Sequence, residues 1–548
     1  MKGQDIINRF DALVSNRSSL DTQLQEIQQF VVPFRGEFFN DQSNEQSQDW
    51  NRVDYYDVTA GISANLLASQ MMSNVTSPVT KWFALQFRET DLKDNQPAME
   101  WLEGAENKVW QTIQESNFDT SAPEVHLDSC SFGTSVMTME DVNDLVWEGV
   151  TFNALPLMDS YFESGPDGLP YRVYRKLRYN YIELKDTFDL PDSLKQKDPE
   201  ATDVSQKHDV VYCVYKEPAN TNDGAILPGK LRPTQWRYVH YETGKLLKKR
   251  GMKTPEGGFY DFPGMTIRWQ KVAAARWGFS PALQMLSNIK SLHTKQFMME
   301  EAWAKAIDPP MKSTELGVIG DLENVPGGLT VTTDVNALMP LYPPTNFSVG
   351  YEGIERDQQA IRSGFFVDKL ELPNQRQMTA YEVQVRYERM LRLLAPTLGR
   401  LKTDMLMPIV TGIFNRLLRM GQLDDMPEDI NGAELDVEFT GPLPRAMKGE
   451  VVDGMERWLV GIMEQVEVNP ESLDIVDFDD YNRIRGDYLG VPVTNTKSQE
   501  EVEKIRKQRA EQQAAQQETE NIRQGGEALE QAGKGAQAAQ QAGMEVPE

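Results

Sequence analysis

The sequence predicts an α+β protein, largely helical and built in several parts. Three observations carry that reading. Apolar residues recur at helical spacing from Ile6 to Phe83 and again from Ser280 to about Met420. Between about Leu145 and Phe262 short β-rich runs alternate with turn residues. The 548-residue chain is also several times longer than a single domain of roughly 100–200 residues, so it holds more than one core.

The N-terminal helices come first. Ile6, Ile7, Phe10 and Leu13 share one face, as do Leu20, Leu24 and Ile27, and Pro33 stops the second run. Ala60–Met72 is small and apolar on one side, the pattern of a closely packed helix, and Trp82 and Phe83 follow Pro78. In the β-rich part an Asp167-Gly168 turn separates two strands. Val210–Tyr215, Trp236–Tyr241 and Phe259–Phe262 read as further strands. From Ser280 the helical period returns: Met285, Ile289, Leu292, Gln296, Met299 and Trp303 form a seam for lengthwise packing. Asp308-Pro309-Pro310 ends it. A Gly-, Pro- and β-branched stretch to Phe347 predicts a small β-containing module. A second seam follows at Tyr351, Ile354, Gln358, Ile361 and Phe365; Gly350, Gly353 and Gly364 weaken it as a free helix, so it requires tertiary support.

Val367–Met378 reads as a polar loop. Thr379-Ala380-Tyr381-Glu382 is a capping box opening a long helix to about Met420, lined by Val383, Tyr387, Met390, Leu394, Leu398, Leu401 and Met405. Pro396 and Pro408 should kink or break it. A further capping box, Ser498-Gln499-Glu500-Glu501, precedes a Gln/Ala/Glu-rich helix with almost no large apolar residues. A flexible tail is expected from about Gly525.

Composition narrows the function classes. Lys plus Arg is 56 and Asp plus Glu is 83, a formal charge of −27. That surface repels nucleic acid and anionic membrane at long range, which argues against a protein gripping DNA over a broad face but not against one that lets DNA slide past. Two cysteines, Cys130 and Cys213, fit free thiols in a reducing compartment rather than a disulfide scaffold. The opening MKGQDIINRF lacks the apolar core of a signal peptide. No window reaches the ~18 apolar residues of a membrane span, so a soluble protein with no direct membrane span is expected.

Motifs for chemistry are few. His126, His208, His240 and His293 show no ligand spacing with another His or Cys. Gly224–Lys230 fits GxxxxGK, but Leu231 replaces the Mg²⁺-binding Ser or Thr and Pro228 removes an N–H from the cradle, so a hairpin turn is the better account. Gly133-Thr134-Ser135-Val136-Met137 resembles GxSxG without its second glycine and reads as a helix-to-strand turn. Asp477, Asp479 and Asp480 fit no calcium loop and read as a solvated face. No catalytic, cofactor or metal site is expected.

Four stretches carry a resemblance. They are the N-terminal helices ending near VTSPVTKWF; SFGTSVMTMED before LPLMDSYFESGPDGLPYRVYRK; MTAYEVQVRYERM leading into LAPTLGRLKTDMLMPIV; and DFDDYNRIRGDYLGVPVTNTKSQEEVEKIRKQR. In this order, over roughly Ile6 to Arg509, the chain resembles the head-to-tail connector (portal) family of podovirus-type bacteriophages. The resemblance implies a homo-oligomeric, twelve-subunit ring around a channel for double-stranded DNA at one capsid vertex, serving genome packaging, retention and ejection. Implied partners are the terminase packaging motor, tail adaptor proteins, the major capsid protein and internal virion proteins, with assembly in the host cytoplasm and a final place in the virion.

On this sequence the implied parts are a wing over 1–279, a stem helix over 280–307, a clip over 308–347 and a second stem helix over 348–366. A tunnel loop would cover 367–378. The kinked helix, wing return and crown would cover 379–475, and a crown or barrel segment with a Gln/Ala/Gly-rich tail 476–548. A DNA conduit must avoid neutralising many phosphates, since each such contact strengthens binding. The few cations near the axis then matter most: Lys369 and Arg376 in the loop, with Lys290, Lys295 and Arg362 on the stem. The alternative for each is an ordinary surface charge. Two other readings compete, another virion structural protein and a nucleotide-dependent enzyme using Lys230. Large rings with no nucleotide-dependent thermal stabilisation would separate the channel from the enzyme.

Overall fold

The computed structural model describes residues 2–534 except 36–54, 90–91, 93–94, 144–145, 166–167, 196–206, 217–233, 273–274, 314–316, 320, 323–329, 342–346, 371–394, 428–429, 431–434, 441, 467–468, 490, 492–496, 498–500, 515, 517–522, 524–530 and 532–533. The chain forms two compact units. The larger comprises Met1–Ala84, Ala105–Leu423 and Val437–Glu450; the smaller comprises Leu85–Gly104, Asp424–Asp436 and Val451–Glu548.

In chain order the elements begin with helices α1 (Gly3–Phe30) and α2 (Thr59–Val75), strand β1 (Phe83–Phe87), and helices α3 (Gln96–Glu115) and α4 (Phe118–Phe132). The two apolar runs expected near the N-terminus are one continuous helix, α1. Between them lies Arg17, which is fully buried. Its guanidinium donates to the carbonyls of Leu157, Met158 and Ser160 at 2.7–2.8 Å and pairs with Asp21 at 2.6 Å. A buried charge persists only with such partners. In α2, Ala60, Ala64, Leu67, Ala68 and Met71 are buried. A side chain at Gly61 would press on the Tyr55 hydroxyl and the Val31 carbonyl, so the close packing expected of this helix is present.

Helix α4 ends at Gly133, whose φ of 80° is the left-handed conformation glycine adopts most easily. The helix-to-strand turn read at Gly133 is therefore there. Strands β2 (Thr134–Asp141) and β3 (Val150–Leu155) follow, then β4 (Ser160–Ser164), β5 (Pro170–Asn180), helix α5 (Tyr181–Thr187), β6 (Phe188–Asp189), β7 (Lys207–Lys216), β8 (Thr234–His240), β9 (Leu246–Lys249), β10 (Glu256–Phe259) and β11 (Gly264–Arg268). Seven of these form one sheet, ordered β4-β5-β7-β8-β9-β6 with β10 on β8, and β11-β2-β3 form a second. The expected strand at Phe259–Phe262 is displaced: β10 ends at Phe259, and Gly264 opens β11 after a bend at Tyr260 and Asp261.

Period-2 alternation explains how the large sheet meets α1. Tyr174, Val211, Cys213, Tyr215 and Val239 form one core with Ile6, Ile7, Phe10 and Leu13. Burial pushes the Cys213 thiol up to about 12, and Cys130 is raised too; both are buried, free thiols of low reactivity.

The described part of the long helix runs over 395–401, widens into a π-helical turn at Lys402–Leu406, and continues as Met407–Arg419. Pro408 has no N–H to give the carbonyl of Asp404, four residues earlier, and the turn widens there, as the expected break predicts. The turn carries Asp404 to Arg268 at the end of β11. Both are fully buried, with Arg268 Nε and Nη2 each 3.0 Å from the carboxylate oxygens. Arg400 Nε adds a third donor at 3.1 Å. About three turns later Arg416 reaches Asp141 at 2.6 Å and the Met139 carbonyl at 3.2 Å, both on β2. The expected helix start at Thr379–Glu382 and its apolar residues up to Leu394 lie outside the described residues. Leu401 and Met405 are buried as expected.

In the smaller unit, Asp477 caps the Phe478–Leu489 helix by accepting from the Asp479 and Asp480 amides at 3.0 and 3.1 Å. Asp479 pairs with Arg506, 2.7 Å between Oδ1 and Nη2. The acidic cluster is therefore a cap and a solvated ion pair. Residues 501–514 form a helix exposed along nearly its whole length, as its composition predicts. No described helix is long and apolar enough to cross a membrane.

Removing one partner of a buried ion pair leaves the other charge uncompensated. Asp404→Ala should lower unfolding stability by about 3–5 kcal/mol, read as a fall in the denaturation midpoint. A loss below about 1 kcal/mol would mean that Arg268 finds another partner.

Candidate functional site

The site is the hairpin between Ser280 and Gly364. Helix α6 (Pro281–Ile307) starts where Ser280 accepts from the Leu283 amide at 3.0 Å and donates to the Ser131 carbonyl at 2.6 Å. Pro281 stands in the first turn, where its missing N–H is harmless. Asp308 ends the helix before two prolines. Strands β12 (Met311–Ser313), β13 (Val318–Ile319), β14 (Val331–Thr332) and β15 (Leu338–Pro340) follow, then helix α7 (Phe347–Gly364).

The strand pairings among the described residues of this segment are antiparallel. Ile319 opposes Val331, and Lys312 opposes Met339. Beyond the strands the helices keep the same antiparallel order. Trp303 and Tyr351 bring ring centroids to 5.9 Å; Gly350 lies on Met299 and Gly364 on Met285. Two of the three glycines that weaken α7 as a free helix, Gly350 and Gly364, are thus the means by which α7 approaches α6. The expected seam holds at Ile289, Leu292, Met299, Ile354, Ile361 and Phe365, all buried, whereas Tyr351 is exposed.

Charge at this hairpin is arranged by a residue that the sequence reading missed. Asp357 is only 5% exposed; it lies 2.5 Å from Lys295 Nζ and accepts from Ser291 at 3.2 Å. Its spacing of three and four from Ile354 and Ile361 was the available signal, since that places it on the seam. Lys290 pairs with Glu26 of α1 at 2.6 Å. Both lysines are therefore neutralised locally. Arg362 is exposed, with no ion pair among the described residues. Phe366, at φ 62°, turns the chain from α7 into a short helix, α8 (Val367–Leu370). The polar loop expected at Val367–Met378 therefore begins as a helical turn. Lys369 lies on α8, and Arg376 lies outside the described residues.

The histidines have structural partners. His126 is buried against the Thr76 hydroxyl at 3.0 Å, and burial pushes it down to about 4. His293 accepts from the Tyr56 amide at 3.2 Å. His208 and His240, remote in sequence, meet across β7 and β8 with ring nitrogens 3.4 Å apart. Among the described residues no three His, Cys, Asp or Glu converge as a metal site. The Gly224–Leu231 stretch lies outside the described residues.

Comparison with known proteins places the chain in a family. Residues 3–495 match the family of bacteriophage head to tail connecting proteins, and the chain belongs to that family. It is similar to the portal protein of Salmonella phage epsilon15, 26% identical over 528 residues covering 93% of this chain and 92% of that one. It is likewise similar to a probable portal protein of Bordetella phage BPP-1, 26% identical over 542 residues covering 95% and 93%.

The hairpin can be tested through its glycines. Alanine at Gly353, where nothing lies within 4 Å, should stabilise by about 0.5–1 kcal/mol through helix propensity. Alanine at Gly364, where the added carbon would come within 2.5 Å of Met285, should destabilise by about 1–3 kcal/mol through overpacking. Equal effects of the two substitutions on the melting temperature would show that α6 and α7 are not in close contact.

Proposed function

We propose that this chain is one portal subunit of a closed twelve-membered ring through which double-stranded DNA enters and leaves a phage capsid. The family match over nearly the whole chain carries this reading. Head-to-tail contacts around an axis turn one subunit into a ring and repeat each side chain around the channel. The net charge of −27 keeps such a lumen from trapping DNA along its length. The role is that of a structural conduit rather than an enzyme. The ring sits at one vertex of the virion after assembly in the host cytoplasm, touching the major capsid protein and internal virion proteins.

In this proposal the parts are divided as the sequence implied. Helices α6 and α7 are the stem, and Asp308–Phe347 is the clip that meets the terminase motor and then the tail adaptors. Ile319, Leu322, Val331, Val335 and Leu341 are exposed on this module, Val335 at 93%; a cluster of exposed apolar side chains on a small module is what a docking surface needs. Lys369 and Arg376 form the rings of positive charge nearest the DNA, and Arg362 is the stem cation left to act with them.

Deleting Asp308–Phe347 should leave the body folded and abolish motor docking; docking that survives would refute the clip assignment. Lys369→Ala/Arg376→Ala should assemble and package normally but retain DNA poorly, measured as filled heads before and after a salt wash. Equal retention in mutant and wild type at every salt concentration would return both residues to ordinary surface charge.

A further inference from the structure

The ion pair that fixes the long helix to β11 is unbalanced. One carboxylate, Asp404, serves Arg268 and Arg400, whose Nε atoms lie 3.0 and 3.1 Å from the same Oδ2. A third cation stands beside them. Arg268 Nη2 donates to the Gly168 carbonyl at 2.8 Å, and a side-chain carbon built on Gly168 would meet Lys271 Nζ at 3.3 Å. The charged groups acting on Lys271 are Arg268, Arg400 and Asp404. Three cations thus surround one anion.

The excess is not satisfied within the described structure. Arg268 is 0% exposed, and its Nη1 is buried without a hydrogen-bond partner. An unpaired guanidinium N–H is costly in such a place. Lys271 is half-buried and the Arg400 side chain is 29% exposed, so the cluster opens to solvent on the side these two residues form. A buried arginine floor with a lysine and a second arginine at the mouth suits a tetrahedral oxyanion, whose oxygens take several charge-assisted hydrogen bonds at once.

We propose that Arg268, Lys271 and Arg400 form a phosphate-binding site, filled by inorganic phosphate or by a backbone phosphate of nucleic acid. Bound there, the anion would tie the segment after β11 to the 395–401 helix and make their contact sensitive to phosphate. The site shares no residue with the cations read from the sequence. Asp167, next to Gly168 in the sequence, lies outside the described residues and is a carboxylate to be tested against the ligand.

Equilibrium dialysis of the full-length protein against labelled inorganic phosphate decides the matter. Lys271→Gln and Arg400→Gln leave the Arg268–Asp404 pair intact, and their melting temperatures check folding. The expected result is saturable binding to the wild type, weakened roughly tenfold in each variant, the loss of about one charge-assisted hydrogen bond. Competition by a short DNA duplex would assign the site to backbone phosphate; its absence would assign it to the free ion. Absence of saturable binding, or binding unchanged in both variants, would overturn the proposal. So would binding that emerges only in Asp167→Asn, because the chain's own carboxylate would then be the occupant.

Discussion

The larger unit depends on one buried carboxylate. Asp404 is brought to Arg268 by a π-helical turn, and 136 residues separate the pair in sequence. Without that turn, residues after Leu406 would emerge on another face of the helix, and Arg416 would not reach Asp141 and the Met139 carbonyl on β2. The β11-β2-β3 sheet and the Met407–Arg419 helix are thus held by two ion pairs about three helical turns apart. Pro408 gives the turn its local cause, because the carbonyl it leaves without a helical donor belongs to Asp404 itself.

The hairpin obeys a different constraint, the close approach of two helices. Gly350 and Gly364 let α7 sit on Met299 and Met285, and Asp357 puts a carboxylate between the helices where Lys295 and Ser291 reach it. Close packing with one buried polar contact fixes the register of α6 against α7, and the strands of the module inherit it. A module held on two registered helices presents its exposed side chains in a fixed place.

Much of this fold could be read locally. The seams of α6 and α7, the caps at Ser280 and Gly133, and the strands at β5, β7 and β8 follow from spacing and turn chemistry within a few residues. Missed features depend on remote partners. Spacing alone gives Arg17, Arg268 and Arg416 no role, yet all three are buried because partners more than 130 residues away satisfy them. Period-2 alternation did not locate β11 because the bend at Tyr260 and Asp261 separates it from β10. At the site, order and length pointed to the family, whereas the pairing of the α6 lysines did not follow from sequence. Lys290 and Lys295 look free until Glu26 and Asp357, on other helices, are brought beside them.

The account rests on the subunit closing into a ring around a channel wide enough for duplex DNA. Electron microscopy of the purified full-length protein, viewed down the particle axis, measures this directly. The account predicts a closed ring of twelve identical subunits with an axial hole and a radial flange. Monomers or small assemblies without a hole, under conditions where the chain is folded, would contradict it.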